Sequence, residues 1–304
     1  MSRMFIAVPA LVGILSAGAL RPQTDNPRIQ VHRRPAVITA MESWTDDDLT
    51  NEQLRLLQTH CPLGRPRLTT DLYGTTWLVV HEGYVLELSA IDKIPLWVGE
   101  EVTSDQLGDA AERAGRFKLD PIVPRHVQAR HEDYTNTGYD RGHQAAAADF
   151  SADQELMDET FRVTNIAPQE PDLNQQAWKA LEMRIRDWIG PNQPAYIITG
   201  PIFHDPREEG DGERADGLVE YYTVGPGGVS VPTHFYKIVL QWRDEAWNAI
   251  GFVMENADPG PVVDLSDYRR SIRWIEEHTG LDFFDQLDQD EQDDLEIPVA
   301  AMWQ

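Results

Sequence analysis

A single cysteine, Cys61, stands in 304 residues. One thiol closes no internal disulfide, so the chain has to be held by a packed core. Positive charge is scarce too: 26 lysines and arginines face 51 aspartates and glutamates, a formal net charge of −25. That balance favours solubility and works against generic adhesion to nucleic acid or anionic membrane. Long apolar runs are missing after the first twenty residues, so nothing later has the roughly 20 apolar residues a membrane span needs. The usual nucleotide loops are missing as well. There is no G-x-x-x-x-G-K-[ST], no G-x-G-x-x-G after a strand, and "GPGGVS" has the wrong spacing. His81-Glu82 and His131-Glu132 begin an H-E-x-x-H without completing it, and Ser230 in "GVSVP" lacks the second glycine of a nucleophile elbow. No histidines or cysteines have zinc-ligand spacing, and the acids at 288–294 lack the central glycine of a calcium loop.

What is present suffices for a core, with 41% hydrophobic and 9% aromatic residues. The opening "MSRMFIAVPALVGILSAGAL" has one early arginine, an apolar stretch from Met4 to Leu15 and an A-x-A-like site at Ala17-Gly18-Ala19. This is the outline of a cleaved export signal over residues 1–19, directing the chain to a periplasmic or secreted location. An uncleaved anchor or an organelle-targeting segment is the alternative. Residues 20–44, with Pro22, Pro27 and Pro35 and little periodicity, read as a tether. Residues 45–304 read as one domain with an acidic tail from about 285, where "LDFFDQLDQDEQDDLE" has eight acids and no base. Such a block usually forms a solvated face. From Glu112 to His143, by contrast, five acids meet six Arg/Lys, so this segment is near neutral in an acidic protein.

Periodicity supplies the elements. "TNEQLRLLQTH" opens with a capping box, Thr50 to Gln53, and predicts a helix that runs to a turn at Cys61, an apolar filler there. "TTWLVV" and "GYVLELS" predict a hairpin around His81-Glu82. "SDQLGDAAERAGRF" is read as a short helix, "FRVTNIAP" as a strand ending at Pro168, and "LNQQAWKALEMRIRDWI" as an amphipathic helix. "AYIITGP", "HFYKIVLQW" and "WNAIGFVM" predict buried strands. "DLSDYRRSIRWIEEHTG" places Tyr268, Ile272 and Ile275 at helical spacing with Gly280 as the C-terminal cap. Strands and helices do not alternate strictly. The class is therefore α+β, a mainly antiparallel sheet flanked by helices.

The chemistry-bearing residues gather between Asp140 and Gly190. "YDRGH" sets Arg141 against His143 across one glycine, an arrangement suited to work on an anion. Asn165 ends a strand, and Asn174 opens a helix where asparagine commonly serves as N-cap. Glu182 lies eight positions on, about 80° away on a helical wheel, so it shares a side with Asn174. Arg186 forms an i, i+4 pair with Glu182. Asp140 and the other eight histidines are read as structural, and Trp178 and Leu181 as core.

These residues carry a resemblance. "YDRGHQAAAADF", "TNIAPQEPDLNQQAWKALE", "YIITGPIF", "VPTHFYKIVL" and "IEEHTGLDFFDQL", in this order, resemble the DNA/RNA non-specific endonuclease family, the sugar-non-specific nucleases that include endonuclease G. The similarity runs from roughly Leu57 to Leu287. It implies a ββα-metal site in which His143 is the general base and Asn174 ligates a hydrated Mg²⁺, replaceable by Mn²⁺. Glu182 would orient the ion's waters, and Arg141 would contact the phosphate. Asn165 would support the waters or His143, and Arg186 would buttress Glu182. Arg116 matches a further arginine of the site, with Arg113 and Arg125 as competitors. The implied partners are DNA and RNA as substrate, with a homodimer and an inhibitor protein admitted. Three other functions are weighed: a nuclease toxin with a cognate inhibitor, a silent scaffold that retains the fold, and a phosphodiesterase for small or lipid-linked phosphates, which the long resemblance disfavours.

Overall fold

A strand with apolar residues at both parities is covered on both of its faces. "HFYKIVLQW" is such a run, and it lies inside the largest sheet. The computed structural model describes residues 28–35, 49–70, 72–208 and 217–303. The apolar leader and most of the expected tether lie outside the described residues. Strands in chain order are β1 (Ile29–Pro35), β2 (Arg67–Leu68), β3 (Thr76–Val80), β4 (Val85–Ser89), β5 (Pro95–Val102), β6 (Asp140–His143) and β7 (Ile166–Gln169). They continue as β8 (Ala195–Ile202), β9 (Leu218–Val224), β10 (Val229–Val231), β11 (His234–Arg243), β12 (Ala246–Glu255), β13 (Arg269–Arg270) and β14 (Leu281–Asp282). The helices are α1 (Asn51–His60), α2 (His131–Tyr134), α3 (Gln154–Thr160), α4 (Lys179–Asp187), α5 (Ile272–Thr279) and α6 (Gln289–Glu296).

Seven strands form one sheet in the order β13-β12-β11-β8-β5-β4-β3, every neighbouring pair antiparallel. The α+β class expected from the sequence is the class observed. Phe235 and Val239 of β11 pack with Trp178 and Leu181 on one face. Tyr236, Ile238 and Leu240 pack with Leu57, Ile272 and Ile275 on the other. The period-2 pleat thus assigns alternate residues of one strand to two different helical layers. Each such fully buried side chain contributes about 1.5–3 kcal/mol. A third cluster, around Tyr84, Val98 and Phe150, seats the segment after β6 on the β3–β5 end of the sheet. β6 and β7 pair only with each other, as a short ribbon beside the sheet.

The capping box of α1 is formed, with Gln53 and Thr50 exchanging hydrogen bonds, and Cys61 follows as a buried residue. Burial pushes the Cys61 thiol up to about 12, which keeps it inert. Five expectations need correction. Residues 29–35 are not a tether but a strand, β1, paired antiparallel with β9. What fixes it is remote: Arg34 makes an ion pair of 2.5 Å with buried Asp92 and lies over the Phe203 ring at 3.5 Å. "SDQLGDAAERAGRF" forms only one 3-10 turn, Ser104–Gln106, since Gly108 and Gly115 each weaken a helix by about 1 kcal/mol. "FRVTN" is a 3-10 turn over Val163–Asn165, and the strand begins after it and runs through Pro168, tolerated because a two-stranded ribbon has free edges. Tyr268 precedes its helix, because Ser271 caps α5 at Trp274 while Arg269 and Arg270 pair with β12. Gly280 does end α5, at φ 66°. Finally, the acidic tail is not simply solvated. It folds as α6, which Arg273 holds through Asp293 and Glu296, both at 2.8 Å. Beyond α6, Trp303 packs on Trp188 with ring centroids 5.0 Å apart. Among the described residues no helix is long and apolar enough to cross a membrane.

Candidate active site

The ribbon presents the D-R-G-H residues in extended backbone, with His143 opposite Ile166 and Gly142 opposite Ala167. Alternation sends Arg141 and His143 to the same side. Phe117 touches both, its ring 5.2 Å from the His143 ring and 5.7 Å from the Arg141 guanidinium. Phe161 closes on His143 edge-on at 4.8 Å. The glycine between them is required sterically, because a Cβ on Gly142 would come within 2.3 Å of the Gln169 side chain. His143 is 8% exposed, and its Nε2 is buried with no hydrogen-bond partner among the described residues. Burial, helped by the charge of Arg113, drives its pKa down to about 3. The ring is therefore neutral at physiological pH.

Arg141 donates from Nη2 to the His131 carbonyl at 3.1 Å and lies 5.4 Å from the Tyr134 ring. Its Nε is buried without a partner among the described residues, so the side chain is held at Nη2 while the buried Nε–H is left over. Asn165 is fully buried behind His143. Its Nδ2 donates to the carbonyls of Ala145 and Thr160, and its Oδ1 accepts from the Ala145 amide at 2.9 Å. An amide so committed to backbone supports the His143 segment and does not reach toward solvent.

Asn174 lies on a widened helical turn, Leu173–Trp178, with π-type winding that runs directly into α4. Such turns concentrate at functional sites. The expected N-cap role is not there: Glu170 caps the turn by accepting from the Leu173 amide at 2.8 Å. Asn174 instead donates from Nδ2 to Asp140 Oδ2 at 2.8 Å, and Gln175 donates to the same oxygen. A carboxylate only accepts, so the Asn174 nitrogen must face it, which turns Oδ1 away as an acceptor not taken up by Asp140. Asp140, read from sequence as structural, is the residue that aims the amide.

Glu182 sits on α4 with its carboxyl pushed up to about 7 by burial, an effect that nearby Lys237 reduces and Asp149 increases. Arg186 acts on it through its charge, without a direct ion pair. Arg186 pairs with buried Asp149 at 2.6 Å, a contact between α4 and the turn after β6 that helical spacing does not anticipate. Behind Glu182, the sheet carries buried Glu100 and Lys237, with Lys237 Nζ on Thr199 Oγ1 at 2.7 Å. Burial first, and Asp149 second, raise the Glu100 carboxyl well above the usual range. A lysine in an apolar strand such as "HFYKIVL" is the sequence signal that was open to use.

Arg113 and Arg116 are both exposed, but only the charge of Arg113 bears on His143 and Glu182 among the described residues. Arg113 also lies 5.6 Å from the Phe161 ring that closes on His143. Arg125 lies elsewhere, beside Lys93 and Arg130. Ribbon, widened turn and α4 thus contribute His143, Asn174 and Glu182, with Asp140 and Arg113 as the links between them.

Residues 66–290 match the family described as DNA/RNA non-specific endonuclease. The chain belongs to that family. Among relatives of this endonuclease family, a nuclease of Syncephalastrum racemosum is 36% identical over 77% of this chain and 73% of its own. Human endonuclease G, named as mitochondrial, is 38% identical over 70% of this chain and 71% of its own. A crystal structure of an EndoG/EndoGI complex superposes with a TM-score of 0.68 at 30% identity, covering 77% of this chain and 93% of that one.

Proposed function

We propose that this endonuclease-family chain hydrolyses phosphodiester bonds of DNA and RNA, with His143 as general base and a hydrated divalent ion, Mg²⁺ or Mn²⁺, on Asn174. The observation that carries this reading is the neutral, buried His143 with an unpartnered Nε2, beside an arginine that it shares electrostatically with Glu182. The donor set fits a hard, hydrated ion. Asn174 offers a single neutral oxygen, and no group of three His, Cys, Asp or Glu among the described residues could hold a metal by itself. When bound, such an ion supplies positive charge to the phosphoryl and leaving oxygens.

The chain's own residues then do the following. Asp140 holds the Asn174 amide so that Oδ1 points outward, and Glu182 accepts hydrogen bonds from water next to it. Arg141 and Arg113 face the non-bridging oxygens with fork-shaped donors. His143 Nε2 takes a proton from the attacking water, the new P–O bond forms, and the bond to the 3′ oxygen breaks, the leaving oxygen taking a proton from solvent. An anionic phosphate arriving beside the ring raises its proton affinity, which offsets the depression caused by burial. These groups address the backbone common to DNA and RNA, so sequence preference is low. The inhibitor complex of EndoG supports an inhibitor protein as a partner here too. Targeting through the leader, by export or to an organelle, is part of the same proposal.

Plasmid and RNA digestion tests the reading. His143→Ala is expected to lose about 10²–10⁴-fold in kcat with its circular dichroism unchanged. EDTA should stop the wild type, and Mg²⁺ or Mn²⁺ should restore it. Cleavage that persists in chelator, or a fully active mutant, contradicts the mechanism.

A further inference from the structure

In a chain of net charge −25, one cavity is lined chiefly by positive and imidazole groups. It has a volume of about 220 Å³ and is bounded by Lys93, Arg125, His126, Arg130, Glu132 and the Pro226-Gly227 turn. Its walls are built, not incidental. Asp133 accepts from the Gly227 amide at 2.6 Å and from the Arg130 amide at 2.8 Å, tying the two loops together. Gly225, at φ 69°, lets the second loop approach, since a Cβ there would meet the Asp133 backbone at 2.2 Å. Lys93 Nζ is pinned to the Gly227 carbonyl at 2.6 Å, so its charge is placed before any ligand arrives. Arg125 has no partner among the described residues, and Arg130 has only the Glu132 carboxylate, at 3.4 Å. Three cations therefore face one weakly held carboxylate, in a protein where acids outnumber bases about two to one.

The cavity is also close to the chemistry. Arg130 and Glu132 flank His131, whose carbonyl is the group that fixes Arg141. One residue spans about 3.8 Å, so the cavity wall begins next to the arginine that faces the scissile phosphate.

We propose that this cavity is a second phosphate site, which holds a non-scissile phosphate of the polynucleotide while the ribbon works on its neighbour. The inference rests on the nuclease reading above and deepens it. Arg125 and Arg130 grip the phosphate oxygens, Lys93 contributes a fixed charge, and Glu132 is displaced from Arg130 as the anion enters. The site reads backbone charge and no base. It explains how a strongly acidic protein holds a polyanion: the attraction is local and lies along one path.

The test uses the full chain and a fluorescently labelled duplex in EDTA, followed by anisotropy, so that binding is read without cleavage. The double variant Arg125→Gln/Arg130→Gln is expected to weaken binding about tenfold, as loss of charge-assisted hydrogen bonds does. It should also lower the slope of log K against log salt by about 0.9 for the one phosphate released. Glu132→Gln should tighten binding, an effect of opposite sign that misfolding cannot produce. In cleavage assays with metal, the double variant should raise KM on the long duplex while leaving kcat, and all kinetics on a nitrophenyl ester of a single nucleotide, within twofold. Binding and salt slope unchanged in the double variant overturn the proposal, as does an equal loss on both substrates. Inorganic phosphate should leave wild-type hydrolysis of the small ester unaltered; a phosphate effect abolished by the double variant would assign the cavity to free anions instead. A wild type that binds duplex through this cavity but cleaves nothing would defeat the nuclease reading and leave the phosphate site standing.

Discussion

Asp140 shows how much one side chain decides at this site. Without it the Asn174 amide is free to turn either end outward, and half of its orientations present N–H groups to a cation. Asp140→Ala is accordingly expected to raise the Mg²⁺ concentration for half-maximal cleavage about 10–100-fold, the usual cost of losing a residue that orients a ligand. Because Asp140 is only half-buried, the melting temperature should move little. A metal titration in which mutant and wild type coincide would remove Asp140 from the site. The arginines give a second comparison. Arg113→Ala should lower kcat/KM about 10–100-fold, the worth of a charge-assisted contact, and Arg116→Ala should stay within twofold. The reverse order would restore the alignment of Arg116 that the sequence favoured. His143 and Asn174 stood out as candidates in the sequence because of the motifs beside them in the chain. The sequence did not separate Arg116 from Arg113, because the stretch from Arg113 to Arg125 has no regular period, and only folding brings the Arg113 guanidinium to Phe161 and its charge to His143.

At the scale of elements, the docking of α6 is the clearest case of charge organised by tertiary contact. Arg273 on α5 reaches Glu276 at 3.0 Å and Glu296 at 2.8 Å, and both carboxylates are buried. Burial pushes Glu276 up to about 7 and Glu296 up to about 8, in spite of the arginine. Arg273→Ala leaves these carboxyls unpaired and should destabilise the fold by roughly 2–3 kcal/mol, below the 3–5 of a fully buried pair because Arg273 is 35% exposed. The pH dependence has a definite sign. Both folded pKa values lie above their unfolded values, so the native state holds more protons than the unfolded chain between about 4.5 and 8. Stability therefore falls as pH rises through that window, and the loss in the mutant should shrink when melting is repeated at pH 5 instead of pH 8. An equal loss at both pH values would show that the arginine acts through packing alone. The helices α1 and α5 were legible because their caps are local: Thr50 with Gln53, and Gly280 after Thr279. The fate of "LDQDEQDDLE" was not, since its decisive partner, Arg273, belongs to another helix.

For the molecule as a whole, β1 carries the argument about where the folded unit begins. Arg34 reaches across to Asp92, which also accepts from Ser230 at 2.7 Å and from Ser89 at 3.0 Å. Removing residues 1–48 strips that buried carboxylate of its cation, a loss of about 3–5 kcal/mol. At roughly 2–4 °C per kcal/mol for a chain of this size, the melting temperature should drop by at least about 6 °C. The full chain should unfold in one cooperative transition by calorimetry. Two transitions, or a truncated chain as stable as the whole, would place a boundary inside what is drawn here as one unit. By itself the sequence determined the α+β class and the buried strands, and it singled out His143, Asn174 and Glu182 as candidates, because pleat, helical period and adjacent motifs are local properties of the chain. Tertiary structure alone decided that the charge of Arg113 reaches His143 and Glu182, that Asn174 donates to Asp140, that Arg186 answers Asp149, and that β1 and α6 belong to the fold. Each of those is a pairing between charges or donors far apart in sequence, and no local pattern encodes which distant partner a side chain will meet once the core has formed.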